Sequence, residues 1–129
     1  MRPVKVLSVL FLCTTACVIS CKTKSAKELI VSKWKLKELT GGTTAQIPDS
    51  IKAKMTSTAT MEFTADNKYI LTGVQATPSN GTYSVSDDGK ILTIIDNETK
   101  KPEVDSINEL SGSKLVITDV FGNKLACIK

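Results

Sequence analysis

Alternation is the feature that most restricts this chain. From about residue 30 onward, apolar and polar residues trade places at every second position. Turn signals interrupt the pattern at intervals of roughly 8–12 residues, the spacing of an all-β sandwich or barrel. A period of two cannot line one face of a helix, whose side chains repeat every ~3.6 residues, so the pattern dictates half-buried strands. Trp34 and Leu36 share one face of the first strand, with Lys33, Lys35 and Lys37 on the other. Thr40-Gly41-Gly42 ends it.

The same reading continues downstream. Ala59, Met61 and Phe63 oppose Thr60, Glu62 and Thr64, and Asp66-Asn67-Lys68 turns into Tyr69-Ile70-Leu71-Thr72. Pro78-Ser79-Asn80-Gly81 turns the chain again. Tyr83 and Val85 then alternate with Thr82, Ser84 and Ser86. Asp87-Asp88-Gly89-Lys90 is the strongest hairpin signal, because Asp-Gly supplies the positive φ such turns need. Leu92 and Ile94 lead a fifth strand, Val104 to Leu110 a sixth, Leu115 and Ile117 a seventh, Leu125 and Cys127 an eighth. Ile107 and Leu110 fall in opposite phases, which predicts a bulge in the sixth. Pro48 to Met55 reads as a short helical turn with proline at its start. Eight antiparallel strands with short connections leave raw edges unless the sheet closes, so the expected fold is an all-β, up-and-down barrel. Such a barrel is just wide enough to be filled by side chains or to hold one small ligand.

Four stretches carry a resemblance. They are Ser32-Lys33-Trp34-Lys35-Leu36, Met61-Glu62-Phe63-Thr64-Ala65-Asp66-Asn67-Lys68-Tyr69, Gly81-Thr82-Tyr83-Ser84-Val85, and Ile107-Asn108-Glu109-Leu110 running into Lys114-Leu115-Val116-Ile117. In combination the chain resembles the lipocalin-like domain of small Bacteroidetes-type lipoproteins, over roughly residues 28–129. The resemblance implies a β-barrel with a ligand cavity and no settled ligand. It also implies that Trp34 closes the barrel floor, with Ser32 standing where lipocalins carry glycine.

Ahead of the strands, Met1-Arg2-Pro3-Val4-Lys5 is basic, and no acid precedes Glu28. The apolar run from Val6 to Ile19 is shorter than the roughly 18–20 residues of a membrane-crossing helix. A charged start, a short apolar stretch and small residues at its end describe a secretory signal peptide, assigned to residues 1–20. Val18-Ile19-Ser20-Cys21 resembles the lipobox of bacterial lipoproteins, which implies cleavage before Cys21 and lipidation of that cysteine with acyl chains such as palmitate. Thr14-Thr15-Ala16 is the alternative cleavage site, with Cys21 then an ordinary thiol. Residues 21–29 read as the lipidated N-terminus and tether, and 30–129 as the barrel. In Bacteroidetes-type lipoproteins acidic residues just after the cysteine accompany surface export. Here Lys22, Lys24 and Lys27 follow it, which favours the periplasmic face of the outer membrane. Once Cys13 and Cys17 leave and Cys21 is acylated, Cys127 remains alone, and a lone thiol in an oxidising compartment is expected to be buried. An unlipidated Cys21 leaves a Cys21–Cys127 disulfide open.

Composition closes off other classes. At 129 residues there is room for one small domain. With no histidine, His-based triads and His-metal sites are excluded. A net charge of +4, from 17 basic and 13 acidic residues, is mild, and aromatics at 5% offer few stacking platforms. No nucleic-acid partner is expected. No phosphate loop, CxxC pair or nucleophile elbow is present, so neither enzymatic activity nor a cofactor is expected.

Carboxylates are the remaining candidates. Glu103 and Asp105 stand about 7 Å apart on one strand face, a spacing that suits an acid pair, yet a solvated face is the expected role. Glu38 continues the phase of Trp34 and Leu36, and Asp119 that of Leu115 and Ile117. Both are expected to face inward near a barrel end, where a carboxylate can fix a ligand's polar head. Asp49-Ser50-Ile51 and Asp105-Ser106-Ile107 resemble Bacteroidetes-type O-glycosylation sites at Ser50 and Ser106.

The expected function is that of a membrane-anchored periplasmic lipoprotein binding a small apolar or amphipathic molecule. Trp34, Leu36, Met61, Phe63, Tyr69, Leu71, Tyr83, Val85, Leu92, Ile94, Leu115 and Ile117 would line the cavity. The alternative is a barrel packed solid by the same side chains, acting through its outer surface as an interaction or inhibitory module. A cavity of roughly 300 Å³ or more favours the first.

Overall fold

The computed structural model describes residues 23–129. The expected signal peptide and Cys21 lie outside them. Eight strands follow in chain order: β1 (Ser32–Thr40), β2 (Thr60–Phe63), β3 (Lys68–Thr72), β4 (Ser79–Val85), β5 (Ile91–Asp96), β6 (Pro102–Leu110), β7 (Lys114–Thr118) and β8 (Lys124–Ile128). Each pairs antiparallel with its chain neighbours, and β8 returns to β1, so the sheet closes without an edge. The all-β up-and-down barrel expected from the alternation is the fold observed.

Local chemistry sets the turns. At the β4–β5 hairpin, Gly89 adopts φ 71°, and the Asp88 carboxylate accepts from the Lys90 N–H at 3.1 Å. Gly81 on β4 faces the Tyr69 ring, where a Cβ would lie 2.9 Å from a ring carbon and 2.0 Å from the Ile95 carbonyl oxygen. No other residue fits that close approach.

Two bulges decide which side chains enter the barrel. The predicted slip in β6 falls between Ile107 and Glu109. A second, unanticipated one interrupts β1 between Leu36 and Glu38. The extra residue reverses the phase of everything after it. Glu38 is therefore exposed on the outer wall rather than facing inward as expected, and Leu39 takes the inward place.

Short helices cap both ends. α1 (Ala26–Leu29) occupies part of the expected tether, with Ser25 Oγ accepting from the Glu28 N–H at 3.3 Å and Lys27 2.9 Å from Asp87. A 3-10 turn (Gly42–Gln46) and α2 (Asp49–Thr58) connect β1 to β2. The helix runs beyond the predicted Met55 to Thr58, and in this last turn the Thr56, Ser57 and Thr58 hydroxyls donate back to carbonyls of Lys52 and Lys54. Its sequence lacks an apolar stripe because it lies on the surface with no buried residue. The alternating strand directions collect α1 and the β2–β3, β4–β5 and β6–β7 turns at one end. The 3-10 turn, α2 and the β3–β4, β5–β6 and β7–β8 loops gather at the other.

Candidate functional site

The barrel interior is divided into a solid floor and an open cavity. At the floor, Trp34 is completely buried, and its Nε1–H donates to the Ile30 carbonyl at 2.9 Å. Lys129 Nζ lies 5.3 Å from the indole centroid, within cation–π range. The Phe63 and Tyr83 rings meet edge to face at 4.9 Å, and the Tyr83 hydroxyl donates to the Thr64 carbonyl at 2.7 Å. Val85, Leu92 and Leu115 complete this layer with Ile30 and Cys127. Cys127 is sealed inside as anticipated, and burial pushes its thiol up to about 11. Trp34, Phe63, Tyr83, Val85, Leu92 and Leu115, six residues of the expected lining, thus fill space rather than enclose it. None of the residues of this layer borders the open cavity.

Beyond the floor lies a cavity of about 260 Å³. Leu36, Met61, Tyr69, Leu71, Ile94 and Ile117 line it, in keeping with the strand alternation. Leu39, Met55, Val74 and Leu125 also contribute. Of these, Leu39 escaped sequence reading through the β1 bulge, while Met55 and Val74 come from a helix and a loop that carry no period-two signal. A separate groove of about 550 Å³ lies outside the barrel beside α1 and the β4–β5 turn; it opens broadly to solvent and shares no lining residue with the cavity.

Three carboxylates reach this cavity. β6 turns Glu103, Asp105 and Ile107 inward together and leaves Val104 outside at 48% exposure. The solvated face expected for Glu103 and Asp105 is corrected for Asp105, which the phase shared with Ile107 buries, while Glu103 lines the cavity and stays exposed to water. Asp105 is only 4% exposed, and its Oδ1 has no hydrogen-bond partner. Burial above all, then the nearby charges of Glu103 and Asp119, pushes its carboxyl up to about 7. Asp119 faces the cavity as expected, but it is occupied by the β7–β8 loop. It accepts from the Phe121 N–H, the Asn123 N–H and Asn123 Nδ2, each at 2.9 Å. Asn123 Oδ1 in turn accepts from the Thr43 N–H at 2.9 Å and holds the 3-10 turn.

A fourth acid shows the opposite treatment. Asp96 accepts from Ser79 Oγ at 2.6 Å and from the N–H groups of Glu98 and Thr99 at 2.8 and 3.1 Å. These donors, Ser79 first, hold its carboxyl down at about 2. Among the described residues no group of three or more acids and cysteines has the arrangement of a metal site. Ser50, at the start of α2, and Ser106, on the outer wall of β6, are both exposed.

A family profile described as a lipocalin-like domain matches residues 30–117. No curated protein and no solved structure matches the chain. The matched stretch runs from the buried Ile30 beneath the floor through Ile117 on the cavity wall, and with the closed eight-stranded barrel it places this chain in the lipocalin-like domain family.

Proposed function

We propose that this protein is a lipid-anchored envelope protein whose barrel binds one small apolar or amphipathic molecule in its open half. The observation that carries this reading is the cavity of about 260 Å³, apolar along its walls and ending on an unpaired, buried carboxyl. Apolar burial supplies affinity at roughly 25 cal/mol per Å², and a few polar groups fix orientation. At about 260 Å³ the cavity falls short of the roughly 300 Å³ that favours a ligand site over a solid barrel, so the molecule is small and the buried carboxyl supports the reading as much as the volume does. The lining contains no histidine, lysine or cysteine to assist Asp105 in a reaction. The site is therefore read as one that holds a molecule without transforming it. The anchor rests on Val18-Ile19-Ser20-Cys21, and the absence of acids before Glu28 supports the periplasmic face of the outer membrane.

Native mass spectrometry of the protein purified from its own cells tests the binding. An added small mass that leaves on denaturation is expected, and its repeated absence overturns the reading. Acyl labelling tests the anchor: Cys21→Ser should abolish the label and release the protein from membranes. A second reading, docking through the outer wall, is favoured by Ile91, Ile95 and Val104, exposed by 37%, 40% and 48% on the same face of β5 and β6. A co-purifying protein lost on Val104→Lys would favour it.

A further inference from the structure

The cavity is electrostatically one-sided. Glu103, Asp105 and Asp119 line it, and no lysine or arginine does so among the described residues. Asp105 lies deepest, across from Leu92, at the boundary with the packed floor. Glu103 is one step nearer the opening on the same face, across from Ile94. Each neighbouring element fails to supply Asp105 Oδ1 with a donor. β5 offers Leu92 and Ile94, and β7 offers Ile117. Asp119 and Asn123 on the β7–β8 loop bind each other, and the Tyr69 hydroxyl on β3 is engaged by Ser79 and Asp96. A buried acid without a partner is costly, and the cost disappears when a bound molecule brings a charged donor.

We propose that the cavity takes a lipophilic amine, its protonated head on Asp105 and Glu103 and its hydrocarbon chain against Met55, Met61 and Leu71. This deepens the ligand-binding reading above and rests on it. The chemistry discriminates among amphiphiles. An ammonium donates up to three hydrogen bonds and carries the charge that three carboxylates favour, and charge-assisted bonds are about twice as strong as neutral ones. An alcohol donates one neutral bond. A fatty acid or phosphate ester brings a further negative charge among acids and is repelled. Since the amine favours ionised Asp105, its binding should strengthen as pH rises through about 7, while that of an alcohol should not.

Three probes with one chain length separate these cases: 1-octylamine, 1-octanol and octanoate, titrated into the purified protein at pH 8. The methyl resonances of Met55 and Met61, both on the cavity wall, report occupancy. Octylamine should bind at least about tenfold more tightly than octanol, with octanoate weakest. Asp105→Asn should remove about tenfold of the amine affinity and leave octanol within about twofold. In the unsubstituted protein at pH 6, octylamine should shift the Asp105 carboxyl resonance to its ionised position, a measurement that needs no variant. Octanol or octanoate binding as tightly as the amine, an unmoved Asp105 resonance, or full amine affinity in Asp105→Asn overturns the proposal and leaves the cavity reading standing. If none of the probes moves either methyl, the cavity reading falls and this proposal with it.

Discussion

The floor and the cavity are built from the same strands by the same alternation, and they differ in what the inward positions carry. At the floor, Trp34, Phe63 and Tyr83 interlock and find hydrogen-bond partners within the fold. At the open end the inward positions hold one ring, Tyr69, among Met61, aliphatic side chains and the acids Glu103 and Asp105, and space remains. The polar groups differ in the same sense. The Trp34 N–H and Tyr83 hydroxyl are satisfied internally, whereas Asp105 Oδ1 is not. One half of the barrel supplies stability, and the other gives some of it up to keep a chamber open.

Trp34→Ala should show the largest effect. Loss of a fully buried indole costs about 3–5 kcal/mol, against about 1 kcal/mol for Leu71→Ala on the half-buried cavity wall. Urea midpoints measure both, and equal losses would break the distinction between the halves.

Asp105→Asn should act in the opposite direction. The Asp105 carboxyl is raised from 3.8 to about 7 on folding, so the folded state holds its proton more tightly than the unfolded state. Below about pH 4 both states are protonated and the group contributes nothing. Stability then falls as pH climbs through about 7, above which the full penalty is present. Asparagine removes that titration, so the variant should gain about 2–3 kcal/mol at pH 8 and almost nothing at pH 4. Parallel denaturation curves across this range would show that burial of the charge is not what sets the open half apart.

Smaller effects sharpen the contrast. Asp119→Ala removes the acceptor of the β7–β8 loop and should cost about 1–2 kcal/mol in thermal unfolding. Leu71→Phe should change stability by less than about 1 kcal/mol, since it grows into empty space, while displacing any bound molecule detected by native mass spectrometry.

Legibility in the sequence divides along a related line. Where inward residues are apolar and outward ones polar, as in Met61 to Phe63 or Tyr83 to Val85, alternation alone gave both strand and face. The β6 bulge could be read because two apolar residues, Ile107 and Leu110, betray the slip. The β1 bulge could not, because Lys37-Glu38 is equally at home on an unbroken outer face, and only pairing with β8 reveals the flip to Leu39. Asp105 departs from the pattern for a deeper reason. Two charges on one strand face ordinarily mean water; Glu103 does meet it, and the rule fails one step deeper, at Asp105. The hollow itself left no trace in the pattern, since volume depends on how rings from different strands meet.

The attachment of the chain governs how the barrel is presented. α1 packs beside the β4–β5 turn, and Lys129 lies over Trp34, so both ends of the described chain leave through the sealed base. If Cys21 carries the acyl group proposed above, the molecule would hang base first, because Thr23 to Ser25 lead into the end that holds α1. The opening would point away from the bilayer. Cargo would arrive dissolved in the surrounding fluid rather than by sliding out of the lipid.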